Sequence, residues 1–423
     1  MELAELTTIP TTENQLPEGW MNFRLGVVCK IKKGVQFNKI ELSDAGVFPC
    51  INGGIEPSGY SDLWNTHENT ITISEGGNSC GYVNFIKTKF WSGGHCYTLL
   101  DLKENLDKKF LYQVLKGRQN LIMDLRVGSG LPNIQQKAIK EFEIPLPQSL
   151  IEQRQIAAIL TKIDEAITQT EALIAKYNRL KTGLMQDLLS RGIDEQGRIR
   201  NEATHAFKDS PLGRIPVEWG VEKLSKLAKI TAGVTLGKEY AESGSIELPY
   251  LRVANVQDGY LDLSDIKYVR VPIAQLSRYK LEIGDVLMNE GGDFDKLGRG
   301  SVWQGQIPNC LHQNHVFKVR LNQKAMLPEF LSLFSSSSFG KSFFILSSKQ
   351  STNLASINKN QLSEFPILKP CIEEQISILE TIHRQSNLIL EMEKHLQKLK
   401  SLKSGLMQDL LSGRVRVGQT AEK

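Results

Sequence analysis

The sequence predicts an α/β chain, α+β in detail, in which two similar mixed α/β domains are separated by a long antiparallel two-helix coiled coil, giving an internal pseudo-two-fold repeat. Three observations lead there. First, residues 180–190 read LKTGLMQDLLS and residues 402–412 read LKSGLMQDLLS, ten identities in eleven positions, 222 residues apart. A period near half of a 423-residue chain means two copies of one architecture. Second, the match runs upstream without a gap: Glu152 and Gln153 align with Glu374 and Gln375, Ile156 with Ile378, Leu160 with Ile382, Ile167 with Ile389 and Glu171 with Glu393. Third, weaker echoes recur before these stretches. Pro17, Trp20, Leu25, Ile31 and Gly34 match Pro216, Trp219, Leu224, Ile230 and Gly233; Glu75-Gly76-Gly77 matches Glu290-Gly291-Gly292; Phe142, Ile144 and Pro147 match Phe365, Ile367 and Pro370.

The elements follow in order. Residues 1–147 form a first domain with short strands, such as 70–74, followed by glycine-rich turns. Residues 148–192 form a helix. It lacks proline and carries large apolar groups at Ile156, Leu160, Ile163, Ile167, Ile174, Tyr177, Leu184 and Leu188, a heptad-like seam interrupted by Thr170 and Lys181. Gly192, Gly197, Pro211, Gly213 and Pro216 punctuate a linker over 193–215. A second domain spans 216–370, with a strand at 285–288, and a second helix spans 371–412 before a tail at 413–423. Its seam is Ile378, Ile382, Ile389, Met392, Leu396, Leu399, Leu406 and Leu410. A continuous helix of 39 residues from Glu152 to Ser190, about 58 Å long, is too long to hide such a stripe in one domain. The natural partner of each seam is the other copy, and antiparallel pairing gives the approximate two-fold. A helix packed only on its own domain is the plainer alternative.

Composition narrows the class. With 40% hydrophobic residues the cores are ample, and no run of eighteen apolar residues or basic-then-apolar leader points to a membrane or to export, so the expected location is cytoplasmic. The six cysteines never approach CxxC spacing, which predicts reduced, mostly buried thiols and no metal site. A net charge of +4 is compatible with polyanion binding without requiring it. Phosphate-loop, dinucleotide, HExxH and nucleophile-elbow motifs are all missing, as is the Asp/Asn-Pro-Pro-aromatic tetrapeptide that amino-methyltransferases use, so the chain reads as non-catalytic.

Outside the shared framework the loops diverge and are rich in amides and cations. Lysine and arginine neutralise phosphates, while asparagine, glutamine and arginine contact base edges in pairs of hydrogen bonds. The first-domain candidates are Lys30, Lys32, Lys33, Gln36, Asn38 and Lys39 on one basic stretch, then Asn52, Asn78, Ser79, His95, Arg126, Ser129 and Asn133. In the second domain they are Thr235, Lys238, Arg252, Asn255, the glycine-rich residues Asp293, Lys296 and Arg299, the run Gln313, Asn314, His315, and Lys349, Gln350, Ser351 and Asn353. Each singly is equally well a solvated loop residue. His95 and His315 occupy matching places, for which loop packing or a base or phosphate contact fits better than catalysis.

The paired segments IEQRQIAAIL with LKTGLMQDLLS and IEEQISILE with LKSGLMQDLLSGRV carry a resemblance to a known family. Each follows a variable domain ending in an apolar-proline strand (EFEIPLP, EFPILKP), and the connector reads FKDSPLGRIPVEW. From about Pro17 to about Val417 the chain resembles the specificity subunit of a type I restriction-modification system. The resemblance implies two target recognition domains, each reading one half of an asymmetric bipartite site in double-stranded DNA, with the helices setting the spacer. It also implies two methyltransferase subunits that carry S-adenosylmethionine and modify adenine at N6, and restriction subunits that use ATP and Mg2+, with no cofactor on this chain. A different class, a coiled-coil interaction scaffold with two peptide-binding domains, stays open at this level and predicts no salt-dependent DNA affinity.

Overall fold

The computed structural model describes residues 16–37, 42–43, 45–128, 130–292, 297–298, 300–350 and 355–417. The chain divides into two compact units. One comprises residues 1–173 with 392–423, the other 174–391, so each unit holds one domain and half of each long helix.

In the first unit a four-stranded antiparallel sheet has the order Lys30–Lys33, Cys96–Leu100, Thr70–Ser74, Val83–Ile86. The β-branched sequence TITIS suits its central strand, whose five residues are all buried. Ile71 and Ile73 enter a core with Leu99, Phe110, Leu111 and Ile144. A three-stranded sheet places Phe48–Ile51 between Tyr60–Ser61 and a parallel Trp91–Ser92. Trp20–Arg24 pairs with Glu143–Pro147, closing the domain onto the helix that follows. Asp107 caps helix Lys108–Gly117 by accepting from the Phe110 amide at 2.9 Å.

The second unit repeats this plan. Its four-stranded order is Ala228–Ala232, Val316–Leu321, Val286–Asn289, Gly300–Val302, and Ser245–Leu251 lies between Lys267–Pro272 and a parallel Leu311–His312. Gly220–Lys223 pairs with Pro366–Lys369 as the corresponding closing ribbon. The strand expected at 285–288 runs one residue later, because the Asp285 amide closes a turn onto the Glu282 carbonyl at 3.0 Å, while its carboxylate holds the Arg320 guanidinium at 2.7 and 2.8 Å.

The long helices span Leu150–Ser190 and Ile372–Leu411. Within the first unit Asp164 meets Lys403 at 2.6 Å and Glu171 meets Lys400 at 2.8 Å, so residue numbers rise on one helix as they fall on the other. The pair is antiparallel. Every expected seam position is buried or half-buried. The seam also does more than join the helices: Ile156, Leu160 and Leu410 belong to the first domain's core, and Leu188, Ile378 and Ile382 to the second's. Next to each domain the seam therefore meets both the other helix and the domain core, Ile156 and Leu160 sharing a cluster with Leu410, and Leu188 with Ile378 and Ile382.

Each helix start is locked by its repeated Glu-Gln. Gln153 donates to the Pro147 carbonyl at 2.9 Å and accepts from the Asp107 amide at 2.8 Å; Gln375 donates to Pro370 at 3.0 Å and accepts from Leu327 at 2.9 Å. Glu152 takes the Arg416 guanidinium at 2.7 and 2.9 Å. Glu374 takes Arg200, the Trp219 indole at 2.8 Å and the Ile193 amide at 2.9 Å. Both helices end in a left-handed glycine, Gly192 at φ 67° and Gly413 at φ 70°. The stretch 193–215, expected as a plain linker, is built up instead: Ile193 and Ile199 form a bridge, and Phe207–Ser210 pairs with Gly213–Pro216. Its glycines serve turns rather than slack.

Candidate nucleic-acid interface

In the first domain Lys33, Gln36, Asn52, Ser79, His95 and Asn133 lie about the turn that follows Lys30–Lys33, whereas Lys30 stands at the other end of that strand, opposite Leu100. Gly34 makes the turn possible: a Cβ there would lie 2.2 Å from the Gly93 carbonyl oxygen, while its amide donates to Cys96 at 2.8 Å. The turn brings Lys33, Glu75, His95 and Tyr97 together. Lys33 Nζ lies 2.5 Å from Glu75 Oε1, the Tyr97 hydroxyl 3.0 Å from the same oxygen, and His95 Nδ1 3.4 Å from Oε2. Partial burial alone would raise the Glu75 carboxyl, but hydrogen bonds from Lys33 and Tyr97, the Lys33 charge and His95 outweigh it and hold the group below its ordinary value. The Tyr97 phenol is pushed above the normal range by burial and by that carboxylate.

The second domain rebuilds this arrangement with fewer parts. A Cβ on Gly233 would lie 1.9 Å from the His312 carbonyl, and His315 Nδ1 meets Glu290 Oε2 at 2.5 Å. The backbone register is the same in both, with the Glu75 amide donating to His95 at 2.9 Å and the Glu290 amide to His315 at 3.0 Å. Ala232 and Phe317 stand where the first domain has Lys33 and Tyr97, so Glu290 has neither the lysine nor the phenol. Beneath the loop the imidazole of His312 is fully buried. Its Nδ1 lies 2.7 Å from the Val316 carbonyl, and burial pushes it down to about 4.

The remaining candidates separate into outward-facing and internally committed groups. Lys32, Gln36, Asn78, Arg126, Asn133, Thr235 and Lys238 are exposed, as is Lys30, which lies 3.7 Å from Asp101. Asn52 instead accepts from the His95 amide at 3.2 Å, and the Ser79 hydroxyl donates to Gly53 at 2.7 Å, so both shape the loop. Arg252 is half-buried and held by Asp265 at 2.8 Å. Asn255 does not present its amide outward: it is 3% exposed, accepts from the Arg252 amide at 2.9 Å and donates to the Asp262 and Asp265 carbonyls. Gln313 and Asn314 are half-buried beside His315, with Asn314 Nδ2 3.2 Å from its Nε2. Asn38, Lys39, Ser129, Asp293, Lys296, Arg299, Ser351 and Asn353 lie outside the described residues, as do the side chains of Lys349 and Gln350.

Sequence reasoning overlooked Glu75 and Glu290 as organisers of the loops, although the repeated Glu-Gly-Gly was their signal. A half-buried carboxylate followed by two glycines that reappears in both copies needs a partner, and the partner is a histidine from the turn before the neighbouring strand. The described residues hold no cluster of metal-ligating side chains. No helix among them is long and apolar enough to cross a membrane. Five of the six cysteines are buried, and burial raises the Cys29, Cys96 and Cys310 thiols to about 12, out of reach of ordinary thiolate chemistry.

Comparison with known proteins agrees with this construction. Residues 17–179 and 216–403 each match the profile described as "Type I restriction modification DNA specificity domain". The chain is 27% identical over 95% of its length, and 94% of the relative's, to the specificity subunit of type I restriction enzyme MjaVIII of Methanocaldococcus jannaschii. It is 24% identical over 72% of its length, and 63% of the relative's, to the EcoKI specificity subunit of Escherichia coli. The crystal structure of a type I restriction-modification S subunit from M. genitalium superposes with a TM-score of 0.61 at 21% identity, covering 96% of this chain and 98% of that one, which establishes the likeness of fold.

Proposed function

Because the chain belongs to the type I restriction modification DNA specificity family, we propose that it is the subunit that chooses the DNA sequence for a modification and restriction complex, each domain reading one half of an asymmetric bipartite site. The observation that carries this reading is one scaffold built twice with different loops. Sheet order, turn glycine and Glu–His pair recur, while the exposed side chains around them differ. Such a pair addresses two half-sites with one docking geometry and two chemistries.

The mechanism is binding. Exposed Lys30, Lys32 and Arg126 in the first domain and Lys238 in the second contact phosphates and fix register. Amides and the imidazoles of His95 and His315, held by their glutamates, meet base edges or phosphates, each well-placed base pair contact discriminating by about 1–3 kcal/mol. The helices set the spacer and carry two methyltransferase subunits. S-adenosylmethionine, methyl transfer and any extrusion of the target adenine belong to those partners, and ATP and Mg2+ to restriction subunits.

Comparing genome methylation in cells with and without this chain tests the reading. One bipartite adenine motif that vanishes with the chain is the expected result. An unchanged methylome, together with purified complex showing no salt-dependent DNA binding, would refute it in favour of a protein scaffold.

A further inference from the structure

Leu131 is 85% exposed, and neighbouring Val127 is 53% exposed, on the surface that carries the exposed Asn78, Arg126 and Asn133. Scattered surface leucines need no explanation. This one differs in how firmly the backbone beneath it is tied. Val127 and Asn133 exchange amide hydrogen bonds at 2.8 and 3.0 Å, the Gly77 amide donates to Pro132 at 3.0 Å, and the Ile134 amide donates to Glu75 at 2.8 Å. The Tyr97 hydroxyl lies 3.1 Å from the Ile134 carbonyl and 3.0 Å from Glu75, which also holds Lys33. An apolar point is thus fixed on a tied loop.

The internal repeat supplies an independent argument. Counting back from the matched Phe142 and Phe365 at a constant separation of 223, Ile134 falls on Ile357 and Leu131 on Leu354. Ile357 donates to Glu290 at 2.8 Å as Ile134 does to Glu75, so the register is structural as well. Leu354 itself lies outside the described residues. Around the leucine the copies disagree, with Pro132 and Asn133 against Ala355 and Ser356. Beyond the shared scaffold, two domains that read different half-sites keep in common what meets a partner common to both or a feature shared by all DNA. Those features are the phosphates and the stack of base pairs, and leucine has no group for a phosphate. A single side chain also falls far short of the roughly 1,000 Å² that a specific protein interface requires, whereas one apolar residue is enough to part a base step.

We propose that Leu131 is a wedge that enters a base step of the DNA held by the first domain, unstacking and kinking it without reading its sequence. This rests on the DNA-reading function proposed above. The test uses the full chain assembled with its methyltransferase subunits and a duplex bearing the motif found by methylation mapping. 2-Aminopurine replaces in turn each adenine, on either strand, within and flanking the first half-site, other than the methylated adenine. Wild-type complex raises emission at one step; Leu131→Ala abolishes that rise, weakens binding roughly tenfold and leaves the methylated sequence unchanged, and Leu131→Met restores the rise. An unchanged emission profile in the Leu131→Ala complex, with normal binding, overturns the wedge alone. Failure of that variant to assemble with methyltransferase subunits would make Leu131 a protein contact, and also overturns it. Wild-type complex that binds no duplex would overturn the DNA-reading function and the wedge with it. Such an exposed side chain leaves the thermal midpoint unaltered, so misfolding is separable from each outcome.

Discussion

Replacing Glu374 by alanine should unseat the second domain from its helix. The Glu374 side chain is only 8% exposed, and its two oxygens receive the Trp219 indole, the Ile193 amide and both terminal nitrogens of Arg200, itself 11% exposed. Removing the carboxylate strands a buried guanidinium and two neutral donors, which costs about 3–5 kcal/mol as the breaking of a buried ion pair with its hydrogen bonds. Glu374→Gln keeps the shape and one acceptor oxygen, and should lose less. Because the chain has two units, a single unfolding free energy is ill-defined. Hydrogen exchange read peptide by peptide is the right assay: amides of 186–200 and 215–224 should exchange faster in Glu374→Ala, while those of 70–74 stay protected. In the first unit Glu152→Ala should act in the same direction but less, since Arg416 is 30% exposed and no indole joins the pair. Loss below about 1 kcal/mol in Glu374→Ala, with the Ile193 region exchanging as in wild type, would refute the lock.

His312 makes the second unit acid-sensitive. Its ordinary value of 6.5 is lowered to about 4 by burial, aided by the Lys318 and Arg320 charges and opposed by the Val316 carbonyl. The unfolded chain thus binds the proton first as pH falls, so stability is full above about 6.5 and declines towards 4 by up to about 2–3 kcal/mol. His312→Gln should flatten this slope in denaturant midpoints measured between those values; an unaltered slope would assign the effect elsewhere. Lys32→Ala should weaken DNA binding for all sequences and lower the salt slope by up to about one unit, and a change of methylated motif instead would make Lys32 a base reader. Inserting four residues after Tyr177 and four before Gln385, which donates to the Tyr177 carbonyl at 3.5 Å, adds about 6 Å to both helices and nearly one turn. The modified sites should then show the same half-sites with a spacer longer by about one or two base pairs at about 3.4 Å each. An unchanged spacer with full activity would mean that the helices do not set the distance.

What the sequence determined by itself was the repeated framework. Periodicity marked the helices to within two residues of Leu150–Ser190 and one of Ile372–Leu411, because a seam of spacing three and four has a single secondary-structure solution. The matched glutamates, glutamines, tryptophans and turn glycines announced two domains of one design, and local chemistry then found the strand TITIS without tertiary help. Tertiary structure alone decided which polar loop residues are free. Asn255 and Asn78 are the same residue type in loops of similar composition, yet one is sealed by three hydrogen bonds to its own loop and the other is exposed. Whether an amide faces solvent depends on backbone carbonyls up to ten residues away, as Asp265 is from Asn255, and no local pattern encodes their direction. The same holds for the pairing of Glu75 with His95 and of Glu374 with Arg200. Each joins residues from separate elements, and their meeting is fixed by sheet register and helix docking rather than by neighbours in the chain.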